Sequence, residues 1–204
     1  MARSKPTFKI KFVQETPDFS FVEQAQIDRQ TKGNPNAVGL AQPIFFHSIA
    51  KAEWRPEGAE RRLVKVDINL KSWTMIKVSK LLKPYAKTLA FAKEHETDHA
   101  NDHFQYLKAN GAKALDRLDP KLFRHKKGMS GDSKAEKALD SAIEKALMAL
   151  SGPADKVSSK ARDTKAEYGA FLRLLIREAV AKNPGMETSF RKNFGDKTVD
   201  AALK

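Results

Sequence analysis

Between Thr7 and Val13 the side chains of Phe8, Ile10 and Phe12 alternate with Thr7, Lys9, Lys11 and Val13, a period of two that predicts a strand with one buried face. The same alternation returns more strongly from Arg62 to Leu70, where Val64, Val66, Ile68 and Leu70 face one way and Lys65, Asp67 and Asn69 the other. Trp73, Ile76 and Val78 continue the apolar pattern beyond it. Thr16 to Asn36 carries Pro17, Gly33 and Pro35 and reads as a loop with one helical turn over Glu23 to Arg29. Val38 to Ile49 is apolar, but Pro43 argues against a regular central strand there.

Further on, the period lengthens. From a start near Ser79 or Pro84 to an end at Asn110-Gly111, Tyr85, Leu89, Ala92, Glu96, His99, His103 and Tyr106 recur every three or four residues and predict one helix. The first half of this stripe is apolar and the second half ionisable, the pattern of a helix that leaves the core to floor a cleft. Asp119-Pro120 and His125 to Asp132 read as breaks. Ser133 to Leu150 is helical, with Leu139, Ile143, Ala146, Leu147 and Leu150 on one face, and Ser151-Gly152-Pro153 stops it. Asp155 is a candidate cap for a helix whose stripe is Val157, Ala161, Thr164, Tyr168, Phe171, Leu175 and Ala179, ending at Asn183-Pro184-Gly185; a short terminal helix follows near Lys197 to Leu203. The expected fold is α+β, a small, mostly antiparallel sheet packed on the central helix. Residues 1–111 would hold the sheet and that helix, and residues 112–204 a helical part that completes the same domain or forms an appendage.

Composition narrows the class. With 41% hydrophobic, 8% aromatic and 31% charged residues in 204, the chain has the balance of a globular protein. No run approaches the roughly 18 apolar residues of a membrane span. The basic Met1 to Pro6 leads into an alternating segment and not a continuous apolar one, so no ordinary secretory signal is expected and the compartment stays open. The net charge of +13 implies attraction to polyanions, either nucleic acid or an anionic polymer such as one in a bacterial envelope, or serves solubility alone. There is no cysteine, so any metal must be held by His, Asp or Glu.

Three of the five histidines fall between His95 and His103, and His95-Glu96-Thr97-Asp98-His99 is an HExxH sequence inside the predicted helix. Residues four apart lie one above the other on a helix, so both imidazoles can share one ion, Zn²⁺ by preference, while Glu96 flanks it as general base. His103 lies about 12 Å along the axis from His95, too far to join a straight-helix pair on one ion. Asp102 is better placed to orient an imidazole. For the third ligand Glu167 is the first choice, because it sits beside the buried stripe carrying Tyr168 and Phe171; His103, His125, Asp102 and His47 are the other candidates. Tyr168 or His125 would stabilise an oxyanion.

The stretch Val64 to Asp102, with its alternating strand, Trp73, Tyr85 and the HExxH helix, resembles a family of bacterial, often exported zinc-dependent proteases of unknown substrate. Ser72 and Asp98 stand where that family usually has proline and a small residue. The resemblance implies a zincin-like fold and peptidase activity on a peptide or protein. Two readings compete with it: a non-catalytic structural or polyanion-binding component of a larger assembly, and a closed structural zinc site with no position left for water.

Overall fold

The computed structural model describes residues 5–31 and 37–204; the loop expected over Lys32 to Asn36 and the basic Met1 to Ser4 lie outside the described residues. The protein is α+β. Its strands are β1 (Thr7–Gln14), β2 (Asp18–Val22), β3 (Gly39–Glu57), β4 (Glu60–Ser79) and β5 (Arg124–Lys126). Its α-helices are α1 (Gln24–Gln30), α2 (Ala86–Leu115), α3 (Met129–Met148), α4 (Ser151–Arg162), α5 (Lys165–Lys182), α6 (Met186–Phe194) and α7 (Asp196–Leu203).

All the other strands pair with β4. β1 lies parallel to it, Ile10 beside Ile68 and Phe12 beside Leu70, and β2 is also parallel, Phe19 beside Ile76 and Phe21 beside Val78. β5 is antiparallel. β3 reaches β4 through the two-residue turn Gly58-Ala59, in which Gly58 takes φ 62°, and strands joined so tightly run in opposite directions. The sheet is therefore mixed, which corrects the expectation of a mostly antiparallel one. Alternation fixes which side chains are buried, and it looks the same for both pairing senses.

The long β3 and β2 were not expected. β3 pairs only with β4 among the described residues, and an edge strand tolerates Pro43 because its missing N–H can face outward. In β4 the buried positions are Val66, Ile68, Leu70, Ser72, Thr74, Ile76 and Val78, with Ser79 at the strand's end, but toward the start Leu63 is buried in place of Val64.

The chain forms two compact units, neither bounded at Gly111. One contains Met1–Thr16, Pro43–Trp73 and Asp102–Lys156. Its core joins Leu63, Val66, Ile68 and Leu70 of β4, Leu107 and Leu115 of α2, Phe123, and Leu139, Ile143 and Leu147 of α3, with Phe8, Ile10 and Phe12 of β1 against them. The other contains Pro17–Gln42, Thr74–Asn101 and Val157–Lys204. In it Ile76, Val78, Leu82, Ala92 and Phe171 form one cluster and Leu172, Ile176, Val199 and Ala202 a second. No helix of the described residues is long and apolar enough to cross a membrane.

Ser79, one of the two starts expected for the central helix, caps instead a short 3-10 turn, Lys80–Leu82, its hydroxyl accepting from the Leu81 N–H; α2 begins at Ala86, close to the other, Pro84. The first turn of α2 is held instead by Glu178 of α5, whose carboxylate accepts from the Lys87 N–H at 2.9 Å, the Thr88 N–H at 2.8 Å and the Thr88 hydroxyl at 2.7 Å. Burial raises the pKa of Glu178, but these bonds to otherwise unpaired helix donors outweigh it and hold the carboxyl below its ordinary value.

Nor does Gly111 end α2. It lies inside the helix against the sheet, where an added Cβ would meet Ile10 Cδ1 at 3.4 Å, Phe12 Cζ at 3.5 Å and Leu147 Cδ2 at 3.7 Å. These are ordinary contact distances, so glycine here carries its helix cost without a steric need. Gly111→Ala is expected to stabilise the protein by up to about 1 kcal/mol, raising Tm by about 2–4 °C in a thermal melt. A lowered Tm would mean that the three neighbours cannot accommodate a methyl group.

Candidate metal centre

The end of α4 explains how a carboxylate reaches the histidine pair. The chain does not run helically from Val157 to Lys182. Thr164 is extended, at φ −90° and ψ 157°, and its hydroxyl accepts from the Glu167 N–H at 3.1 Å, making it the N-cap of α5. Asp163 therefore sits in the break between two helices, with its side chain free of either helical stripe. The preceding helix does end just before Ser151, Gly152 and Pro153, and these residues also form the first turn of α4, where proline costs no hydrogen bond.

On α2, His95 and His99 stand one turn apart with their rings edge to face, centroids 4.7 Å apart. His99 Nε2 lies 3.1 Å from His95 Nε2 and 3.1 Å from Asp163 Oδ1, and His95 Nε2 lies 3.2 Å from the same oxygen. The three atoms make a nearly equilateral triangle. A tetrahedral ion with bonds of about 2.0 Å to its ligands has ligand-to-ligand edges of about 3.3 Å, so this donor set fits a zinc-sized ion. The other ring nitrogen of His99, Nδ1, lies 2.8 Å from Oγ of the fully buried Ser158. A neutral His99 that donates Nδ1–H to Ser158 presents an unprotonated Nε2 to the triangle.

The electrostatics follow the same geometry. The hydrogen bond from His95, and one from His99 when its Nε2 carries a proton, hold the Asp163 carboxyl well below the usual carboxylate range. The bond to Asp163 raises His95 above its ordinary value, with burial opposing and Glu96 assisting. Glu96 is 8% exposed, and burial pushes its carboxyl above the usual range against the pull of His99, His95 and a hydrogen bond from the Ala41 backbone. Its seat is made by β3: a Cβ at Gly39 would lie 2.5 Å from Glu96 Oε1, so only glycine leaves room for the carboxylate.

Among the described residues, His95, His99 and Asp163 form the one group able to hold a metal ion, and the other third-ligand candidates lie outside it. Glu167 stands in the first turn of α5 and acts on His95 only through its charge. His103 is buried and pairs with Asp155 at 2.8 Å. His125 places Nδ1 2.8 Å from the Lys126 carbonyl and packs edge-on against Trp54, and His47 meets Asp140 at 2.9 Å. Tyr168 packs on the cluster of Leu172, Ile176, Val199 and Ala202. Asp163, Ser158 and Gly39 were missed. The signal for the first was legible: Thr164-Lys165-Ala166-Glu167 has the capping-box spacing, which breaks the predicted helix immediately after Asp163.

No protein-family model, curated protein or solved structure matches the chain. Its own fold and site define the class, an α+β protein with a His-His-Asp group beside a buried glutamate.

Proposed function

We propose that the chain is a zinc-dependent peptidase of zincin-like build, and the observation that carries this is the triangle of His95 Nε2, His99 Nε2 and Asp163 Oδ1 with Glu96 buried beside it. Two imidazoles and one carboxylate are a donor set that zinc accepts while keeping an open position. Bound there, Zn²⁺ would polarise a peptide carbonyl and lower the pKa of water to about 7. Glu96 takes the proton of the attacking water and returns it to the departing amine; a carboxyl raised by burial is suited to that exchange near neutral pH.

The substrate strand is β3. The Val38 carbonyl accepts from the Ser79 N–H of β4, so by the alternation of a strand Gly39 and Ala41 turn their backbone groups to the outer edge, and the Ala41 N–H bonds Glu96. An extended peptide adding to this edge would lay its scissile bond beside the general base.

The test is metal content and turnover together. Protein purified under zinc-replete conditions should hold one zinc per chain and cleave an unstructured protein such as casein, with chelation abolishing cleavage and zinc restoring it. Absence of bound zinc would remove this reading and leave the non-catalytic, polyanion-binding alternative. Stoichiometric zinc without turnover on any unstructured substrate would point to a structural site.

A further inference from the structure

Each of two ligands has a neighbour in sequence that reaches the other ligand's segment. Asp98 immediately precedes His99, and Arg162 immediately precedes Asp163. Their side chains meet at 2.6 Å, Arg162 Nη1 to Asp98 Oδ2, one on α2 and the other at the last residue of α4. We infer that Asp98 and Arg162 are a positioning pair that sets Asp163 against the two imidazoles; the inference rests on the proposed metal centre.

The need for such a pair follows from where Asp163 stands. Its backbone is tied back to α4, Asp163 N–H to the Ser159 carbonyl at 2.8 Å and Thr164 N–H to the Arg162 carbonyl at 2.7 Å, so these bonds fix the turn relative to its own helix. They do not fix it relative to α2, which carries both histidines. Ser158 ties α4 to His99 one turn earlier, and the guanidinium of Arg162 supplies a second link one residue away from the ligand, with Asp98, between the two histidines, as the carboxylate placed to receive it. Both side chains are a little over one third exposed, at 36% and 38%, and a pair this open adds little to global stability. Its consequence is registration of a ligand, an effect seen in metal affinity and coordination and not in unfolding.

The experiment compares Asp98→Asn, Arg162→Gln and the double variant with the wild type. Zinc affinity is read by competition with a chromophoric chelator, cobalt by its visible ligand-field spectrum, and folding by thermal melts without metal. Each single variant should lose about tenfold in zinc affinity and shift the cobalt bands, with the metal-free Tm unchanged. The losses of the two singles should not multiply in the double variant, because the Asp98–Arg162 interaction is common to both. Zinc affinities within twofold of wild type in both singles, or losses that multiply in the double, would overturn the pairing. A wild-type chain that binds no zinc would overturn the metal centre itself, a result visible before any variant is made.

Discussion

Glu96→Gln should leave one zinc bound per chain while lowering peptide hydrolysis by about 10²–10⁴-fold. Glutamine has nearly the shape of glutamate and can still occupy the space opened by Gly39, so the fold and the His95–His99–Asp163 triangle should survive. What disappears is the proton acceptor. The loss should appear in kcat more than in KM, since Glu96 interacts with water in the transition state and not with the peptide's side chains. Retained turnover in this variant, with zinc still bound, would remove Glu96 as general base. The metal-free variant should also be no less stable near neutral pH than wild type: a buried carboxyl with a raised pKa opposes folding once pH exceeds its unfolded value, and the amide carries no charge.

Asp163→Ala should reduce zinc affinity by more than about 100-fold, a larger loss than disturbing an orienting partner causes. It removes one of the three donors grouped there among the described residues and leaves His95 and His99 without that carboxylate between them. The metal-free protein offers a second readout. Asp163 has a depressed pKa, so its stabilising contribution is present above its unfolded value near 3.8 and lost as pH falls toward its folded value. His95 has a raised pKa, so its contribution is full below its unfolded value near 6.5 and lost as pH rises through its folded value. The two conditions overlap between about pH 4 and 6.5, where both partners are charged. Asp163→Ala should therefore cost the metal-free protein most stability in that window and progressively less above it, as melts across a pH series would show. Asp163 is half exposed, so this penalty is modest beside the loss of metal. Zinc bound at wild-type affinity by Asp163→Ala would place the third ligand elsewhere.

What was legible and what was not divides along the range of the interactions involved. The strand at Thr7, the alternation into β4, the helix carrying HExxH and the apolar face of α3 were readable because each buries one face by a fixed local period. The failures have local causes too. Pro43 tells against a central strand, which β3 is not, but says nothing about an edge strand, so the long β3 stayed unread; Gly111 looks like a helix end by composition alone, and it stands inside α2 against the sheet. Thr164 was counted into an apolar stripe when its hydroxyl is a cap, and that single misreading fused α4 with α5 and hid Asp163. Glu167 then looked better placed only because it lay on the imagined continuous helix.

The sequence by itself determined the histidine pair and its glutamate, because four residues of α-helix bring His95 and His99 together whatever surrounds them. It also excluded thiolate ligands, since the chain contains no cysteine. Only the tertiary structure decided the third donor, the seat of Glu96 and the partner of His99. Asp163, Gly39 and Ser158 reach the site by packing between separate elements. A helical period fixes the angle of a side chain about its own axis, and carries no information about which distant turn will be folded against it.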